Sequence, residues 1–284
     1  EAPPGAGKTT QVPPALLAAP WLEGGRILML EPRRVAARAA AGFMARQRGE
    51  SPGETVGYRI RFENKVSART RIEVVTEGIL TRMLQDDPLL DGVGALLFDE
   101  FHERHLAADL GLALALDVQA SVRPDLRIVV MSATLDGARL AAFLDAPRLS
   151  SAGRSFPVDV SHFPARRVLR QAQDGREEAL EHQARRAIDH ALGAHPGDVL
   201  AFLPGQREIA RLQALLGEGD APGDVEVLPL HGELPVEHQS RVLQPAPDGR
   251  RRVVLATNVA ESSVTLPGVR VVVDSGLARE PRYD

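Results

Sequence analysis

The chain has 284 residues, of which 44% are hydrophobic and 25% charged, with a formal net charge of −4. Such a composition is that of a globular protein long enough for two domains, and any surface for nucleic acid must be local, because the bulk charge gives none. The absence of cysteine excludes disulfide frameworks, thiolate zinc sites and iron–sulfur clusters; with no apolar run near the ~18–20 residues of a membrane span and no signal peptide, the expectation is a cytoplasmic enzyme.

The first feature along the chain is a glycine loop, Gly5-Ala6-Gly7-Lys8-Thr9-Thr10, following Pro4. In the phosphate-loop signature, backbone N–H groups cradle phosphates, a lysine reaches the outer phosphate oxygens, and a hydroxyl binds magnesium. Pro4 to Thr10 are therefore the candidate nucleotide-binding residues, with Lys8 for the phosphates and Thr9 for the metal. The strict signature has glycine five positions before Gly7, where this chain has Ala2. Lys8 and Lys65 are the only lysines among 34 basic residues, and an arginine fork cannot replace a compact ammonium inside a tight loop. A phosphate loop is presented by a buried strand running into it. Only Glu1 and Ala2 precede this one, so the expectation is a fragment whose first sheet lacks a central strand.

Short apolar runs of the kind buried in parallel sheets follow at Arg26–Leu30, Arg71–Val75, Ala95–Phe98 and Arg127–Met131. Helical patterns lie at Val35–Arg48, Gly78–Leu84, Ala107–Ala120 and Ala138–Leu144. After a polar, glycine-containing linker at Ser150–Ser155 the scheme repeats. Strands are expected at Val158–Ser161, Val199–Phe202, Glu226–Pro229, Val253–Ala256 and Arg270–Val273, and helices at Arg176–Leu192, Gln206–Leu216 and Glu237–Leu243, with exposed loops at Gln171–Gly175 and Gly217–Gly223. Alternating strands and helices imply right-handed crossover units, hence an α/β fold with doubly wound, parallel sheets in two domains, residues 1–152 and 153–284.

The third strand runs into Asp99-Glu100-Phe101-His102. Adjacent carboxylates at the end of a buried strand are costly unless a cation sits beside them. Magnesium with a bound nucleotide supplies that charge, and the glycine loop is the other half of such a site. Asp99 is expected to hold the metal through water, and Glu100 to lie beside it and activate the water that attacks the terminal phosphate. His102-Glu103-Arg104-His105 lacks the zinc-binding spacing in which two histidines flank three residues.

Seven segments in order resemble the motifs of the DEAH-box superfamily 2 helicases. Gly5 to Pro13 resembles motif I, Glu31-Pro32-Arg33-Arg34-Val35-Ala36-Ala37 motif Ia, and Thr76-Glu77-Gly78-Ile79-Leu80 motif Ib. Asp99 to His102 resembles motif II, Ser132-Ala133-Thr134 motif III, Phe202 to Ile209 motif IV, and Ala256 to Ser263 motif V. Phe101, with the Ala-Pro-Pro-Gly loop, is most similar to the bacterial HrpB-type branch.

The resemblance implies two RecA-like domains with ATP in the cleft between them and magnesium at Thr9, Asp99 and Glu100. It further implies that Arg33, Arg34, Thr76, Gly78, Gly205, Thr257 and Asn258 contact the backbone of a single-stranded or tailed nucleic acid, RNA before DNA. Ser132 and Thr134 would couple the nucleotide to that strand, with capping of the next helix as the plainer alternative. His102 is implied to link nucleotide state to domain closure, although a histidine satisfied inside the fold fits its chemistry equally; His231 reads as structural. An arginine-finger segment is expected after motif V, where the chain instead ends at Arg282-Tyr283-Asp284. Since such fingers give about 10³–10⁵ in rate, weak hydrolysis is expected of this polypeptide alone. The competing readings are a duplex translocase that never separates strands, a non-catalytic clamp, and a metabolic phosphate-loop kinase, which would leave the second half unexplained. Protein partners are not identifiable from the residues.

Overall fold

The computed structural model describes residues 1–133, 137–153, 156–165, 167–168, 176–217, 225–246, 249–260 and 266–279. Thr134, Glu261, Ser262, Ser263, the loop Gln171–Gly175, most of Gly217–Gly223 and the last residues Arg282 to Asp284 lie outside them. The chain divides into two compact units, Glu1–Pro157 and Val158–Asp284.

The first unit contains, in order, α1 (Lys8–Leu16), β1 (Arg26–Leu30), α2 (Arg34–Gln47), β2 (Val56–Ile60), β3 (Glu63–Lys65), β4 (Ile72–Val75), α3 (Glu77–Asp86), β5 (Val93–Phe98), α4 (Leu106–Ser121), β6 (Arg127–Val130) and α5 (Gly137–Leu144). Its sheet runs β3-β2-β4-β1-β5-β6, parallel throughout except for the β2–β3 pair. Both faces are covered, which is why β1, β4 and β5 read as unbroken apolar runs rather than alternating ones. Ile27 and Met29 join one core with Ala37, Ala41 and Met44 of α2. Leu28 and Leu30, pointing the other way, join a second with Leu80 of α3 and Leu112 of α4. Each such fully buried side chain contributes about 1.5–3 kcal/mol relative to exposure.

Register fixes where the loops emerge. Leu30 stands opposite Val75 on one side and Phe98 on the other, and Phe98 opposite Val130. Four strands therefore end level, and the four segments that follow them leave along one edge of the sheet, where ligands of open α/β sheets bind.

The second unit holds the two-residue strands β7 (Arg167–Val168) and β8 (Arg176–Glu177), then α6 (Leu180–Ala194), β9 (Asp198–Phe202), α7 (Gln206–Gly217), β10 (Val225–Leu230), α8 (Val236–Val242), β11 (Arg251–Ala256) and β12 (Val269–Asp274). Its main sheet is parallel, in the order β10-β11-β9-β12. Val199 and Ala201 face Ile188 of α6 and Leu212 of α7, while Leu200 and Val254 face Leu230 and Val242. Charge is buried here too. The fully buried Arg252 guanidinium donates from Nε to Asp198 Oδ2 at 2.8 Å and to the carbonyls of Val242, Gln244 and Pro267. Asp198 Oδ1 accepts the Arg252 N–H at 2.8 Å.

The structure differs from the sequence expectation at several places. Val158–Ser161 forms no strand: Val158 and Val160 are 82% and 74% exposed, and among the described residues no strand pairs with them. Arg176–Glu177 pairs antiparallel with β7, so α6 starts at Leu180 rather than Arg176. The strands β2 and β3 were not expected, since Gly57 and the polar Glu63-Asn64-Lys65 lack an apolar pattern. Helix α1 continues through Pro13 and Pro14, which rob two carbonyls of the preceding turn of their helical donors.

Two outcomes follow from buried polar groups. Asp198→Ala strands the Arg252 guanidinium, and an uncompensated buried charge costs about 3–5 kcal/mol; a denaturant midpoint showing a loss below ~1 kcal/mol would refute the role given to this pair. Burial, then the bond its hydroxyl donates to Glu63, push the Tyr58 phenol up to about 12. The folded value lies above the ~10 of an unfolded tyrosine, so this contribution is whole below pH ~10 and is lost as pH climbs through the folded value. With only two tyrosines in the chain, ultraviolet titration should show one ionising near pH 12, and Tyr58→Phe should abolish that late step.

Candidate functional site

The glycine loop caps α1. Gly7, the residue before the helix, has φ 86° and Gly5 φ 74°, left-handed conformations that side chains disfavour. A Cβ on Gly7 would lie 3.1 Å from Gln11 Cγ, a tight contact from which the Gln11 side chain would have to give way. The Thr10 N–H already donates to the Gly7 carbonyl at 3.2 Å, which leaves the N–H groups of Lys8 and Thr9 at the positive dipole end of the helix, an arrangement suited to anions. Lys8 Nζ donates to the carbonyls of Ala2 at 2.6 Å and Pro3 at 3.1 Å, which holds the ammonium inside the loop. Pro4, Gly5 and Ala6 are exposed, while Gly7, Lys8, Thr9 and Thr10 are half-buried. Ala2 is tied by its N–H to the carbonyl of Ser132 at 3.3 Å. The segment leading into the loop thus lies beside the end of β6.

Just past the ends of β1, β4, β5 and β6 the chain is held by four backbone bonds. Glu31 N–H donates to Val75, Asp99 N–H to Leu30, Met131 N–H to Phe98, and Phe101 N–H to Met131, at 2.8–3.1 Å. These bonds, with the buried Phe101 ring edge-on to Phe98 at 6.5 Å, leave Glu100 in a left-handed conformation, φ 48° and ψ 33°. A glutamate there costs roughly 1–3 kcal/mol and persists only because its surroundings impose it.

Asp99 is 2% exposed. Burial raises its carboxyl, the Thr9 hydroxyl and the Glu100 N–H lower it, the Glu100 charge raises it and Lys8 lowers it, leaving it at about 6. Oδ1 accepts the Glu100 N–H at 2.9 Å, whereas Oδ2 is buried with no hydrogen-bond partner. A buried carboxylate oxygen of this kind, beside a threonine hydroxyl and a lysine, suits a divalent cation. Among the described residues no three histidine or acidic side chains cluster to hold a metal by themselves; magnesium bound beside phosphates takes only one or two carboxylates from a protein.

His102 Nδ1 lies 3.4 Å from Glu100 Oε2. Ser132 is buried at the end of β6. Arg33 sits just before α2 and reaches Glu103 Oε2 at 3.4 Å; Arg34 is exposed. Thr76 precedes α3 and is buried, with its carbonyl accepting from Ile79 and Leu80, and Gly78 is exposed with open space around it. Thus the structure gathers Lys8, Thr9, Asp99, Glu100 and His102 in one place and arrays Arg33, Thr76 and Ser132 along the same sheet edge.

In the second unit Gly205 follows β9 and Thr257 and Asn258 follow β11, again past the strand ends. Thr257 N–H donates to Leu230 at 3.2 Å, and Asn258 is exposed. His231, past β10, is pulled down by burial, against the charge of Glu233, and its Nδ1 is buried without a hydrogen-bond partner.

The sequence alone gives Glu77 no role of its own and brings in Glu103 and His105 only where zinc is set aside. His105 Nε2 lies 2.8 Å from the Glu103 oxygen that Arg33 also reaches. Charged residues at helix starts carry no pattern that marks such convergence.

A model of the helicase conserved C-terminal domain matches residues 182–283. The ATP-dependent RNA helicase HrpB of Escherichia coli (strain K12) is 48% identical over 284 residues, covering all of this chain and 34% of the relative. A crystal structure of the Escherichia coli DEAH/RHA helicase HrpB superposes with TM-score 0.86 over all of this chain and 35% of its own; another, of the E. coli DExH-box NTPase HrpB, gives 0.74, over all of this chain and 34% of its own. Both are 48% identical to this chain, which spans about a third of the length of the relatives it matches. The α/β architecture with parallel sheets is that of the RecA-like helicase fold.

A side chain at the left-handed Gly7 position costs about 1–2 kcal/mol, so Gly7→Ala should lower the melting temperature. Gly78→Ala, inside a helix with space beside it, should keep the stability or raise it by up to ~1 kcal/mol, and with it the melting temperature. Equal melting temperatures for the two variants would contradict the constraint assigned to Gly7.

Proposed function

We propose, from the premise that this chain is a homologue of the DEAH-type helicase HrpB along its whole length, that it is the motor core of an ATP-dependent nucleic-acid helicase. The observation that carries the reading is the meeting of Lys8 and Thr9 with Asp99 and Glu100 at the ends of α1 and β5.

In this reading the loop N–H groups, Gly5 to Thr10, bind the phosphates of ATP, with Lys8 as the compact cation among them. The Thr9 hydroxyl and Asp99 would hold Mg²⁺, with Glu100 beside it; when bound, the ion neutralises charge on the phosphate oxygens. Glu100 orients the attacking water and accepts its proton, and the imposed backbone at Glu100 fixes where its carboxylate stands. His102 stands beside that carboxylate, its Nδ1 3.4 Å from Glu100 Oε2 without a hydrogen bond, and is assigned to linking the nucleotide's state to the rest of the motor.

Arg33, Arg34, Thr76 and Gly78 in the first unit, and Gly205, Thr257 and Asn258 in the second, are proposed to grip the sugar-phosphate backbone. Such contacts position a strand without reading its bases. RNA is the favoured strand, because the relative named above is an RNA helicase. Ser132 and Thr134 are assigned to coupling; Ser132 supports this through the Ala2 bond that joins it to the loop holding Lys8. Affinity for the strand would then change with the bound nucleotide, as a ligand shifts a two-state equilibrium by its differential affinity. A cytoplasmic location belongs to the same reading; among the described residues no helix is long and apolar enough to cross a membrane.

The test separates binding from chemistry. Lys8→Ala should weaken a fluorescent ATP analogue at least ~10-fold, the effect of one charge-assisted phosphate contact. Glu100→Gln should bind the analogue as wild type does while hydrolysis falls by about 10²–10⁴. If Glu100→Gln instead lost binding with turnover unchanged per bound nucleotide, the assigned roles would be wrong.

A further inference from the structure

One charged cluster outside the nucleotide site joins three of the segments just described. Glu103 closes the short turn Phe101–Glu103 that follows Glu100, and its N–H donates to the Glu100 carbonyl at 2.9 Å. Its side chain is only 12% exposed and meets Arg33, 3.4 Å from Oε2, while His105 Nε2 meets the same oxygen at 2.8 Å. Glu77, beside Thr76 at the start of α3, lies within their field: burial raises its carboxyl most, the charge of His105 lowers it and that of Glu103 raises it. The segments after β1 and β5 therefore meet at one carboxylate, with the start of α3 near it.

We infer that Glu103 is a positioning residue that sets whether Arg33 is available to the nucleic-acid strand, and that it transmits the state of the Glu100 turn to that grip. The inference rests on the proposed helicase reading. Glu103 and a strand phosphate compete for one guanidinium, since the fork that pairs with a carboxylate matches phosphate geometry equally. The turn is short and its backbone bonded, so a displacement of Glu100 carries Glu103 with it. Phe101, buried in the core between them, is the fixed point about which the turn would tilt. A small shift at the nucleotide end becomes a made or broken ion pair at the strand end, which is how packed elements convert ångström changes into two-state behaviour. Glu103 touches neither ligand.

The experiment is a double-mutant cycle on Arg33→Ala and Glu103→Gln, reading the Kd for a labelled single-stranded oligouridylate with and without a non-hydrolysable ATP analogue. Wild type should bind with an affinity that differs between the two states. Glu103→Gln should bind more tightly in the weaker state and shrink the difference by about fivefold or more, the lower range of allosteric coupling. In the Arg33→Ala background the Glu103 substitution should change neither affinity. A Glu103→Gln protein that binds more weakly in both states, or keeps the full difference, or has the same effect without Arg33, overturns the inference and marks Glu103 as structural. A wild-type protein that binds no oligouridylate in either state removes the helicase reading itself, and the inference with it.

Discussion

Asp99 places a carboxylate oxygen where neither solvent nor a hydrogen-bond donor reaches it, and the first unit is arranged around that fact. A lone charged oxygen so placed is expensive. The local structure moderates the expense: the Glu100 N–H serves Oδ1, while Thr9 and Lys8 stand near enough to favour the charged form. Those partners come from a helix whose start is shaped by Gly5 and Gly7 in left-handed conformations that other residues adopt only at a cost. The level strand ends do the rest, since the backbone bonds from Glu31, Asp99, Met131 and Phe101 leave the chain one path past the carboxylate.

Much of this was legible before the fold was known. The runs Arg26–Leu30, Arg71–Val75, Ala95–Phe98 and Arg127–Met131 are apolar at every interior position, or nearly so, because helices cover both faces of the sheet, and such strands announce themselves. The glycine loop and the acidic pair were legible because their chemistry demands particular residue types at particular spacing. β2 and β3 were not. At β2, Gly57 is buried where a Cβ would meet the Lys65 carbonyl at 2.3 Å, so contact with another strand, not local propensity, sets the residue. Val158–Ser161 erred in the opposite direction: alternating valines have the right period, yet pairing depends on a neighbour that sequence does not display.

The convergence on Glu103 was invisible for a related reason. Arg33, Glu77, Glu103 and His105 are spread over more than 70 positions of the chain, and only the parallel register brings the starts of three helical segments to one place. Pairwise, each resembles an ordinary solvated ion pair, of the kind worth little. The second unit repeats the layout at Gly205, His231 and Thr257, but its chief buried charge, Arg252 with Asp198, lies where the strands begin rather than where they end. That polar centre bonds to the chain after α8 and before β12 and so ties the lower end of the sheet together, leaving the upper ends for function.

The left-handed backbone at Glu100 sets an evolutionary tension. Glycine or asparagine would relax that position, yet neither carries the carboxylate that the proposed chemistry requires. Stability and activity therefore favour different residues at one site. Populations selected for heat resistance alone would be drawn away from glutamate there, whereas selection for turnover would retain it and place its compensating improvements elsewhere, in the Phe98–Phe101 packing or the cores beneath the sheet.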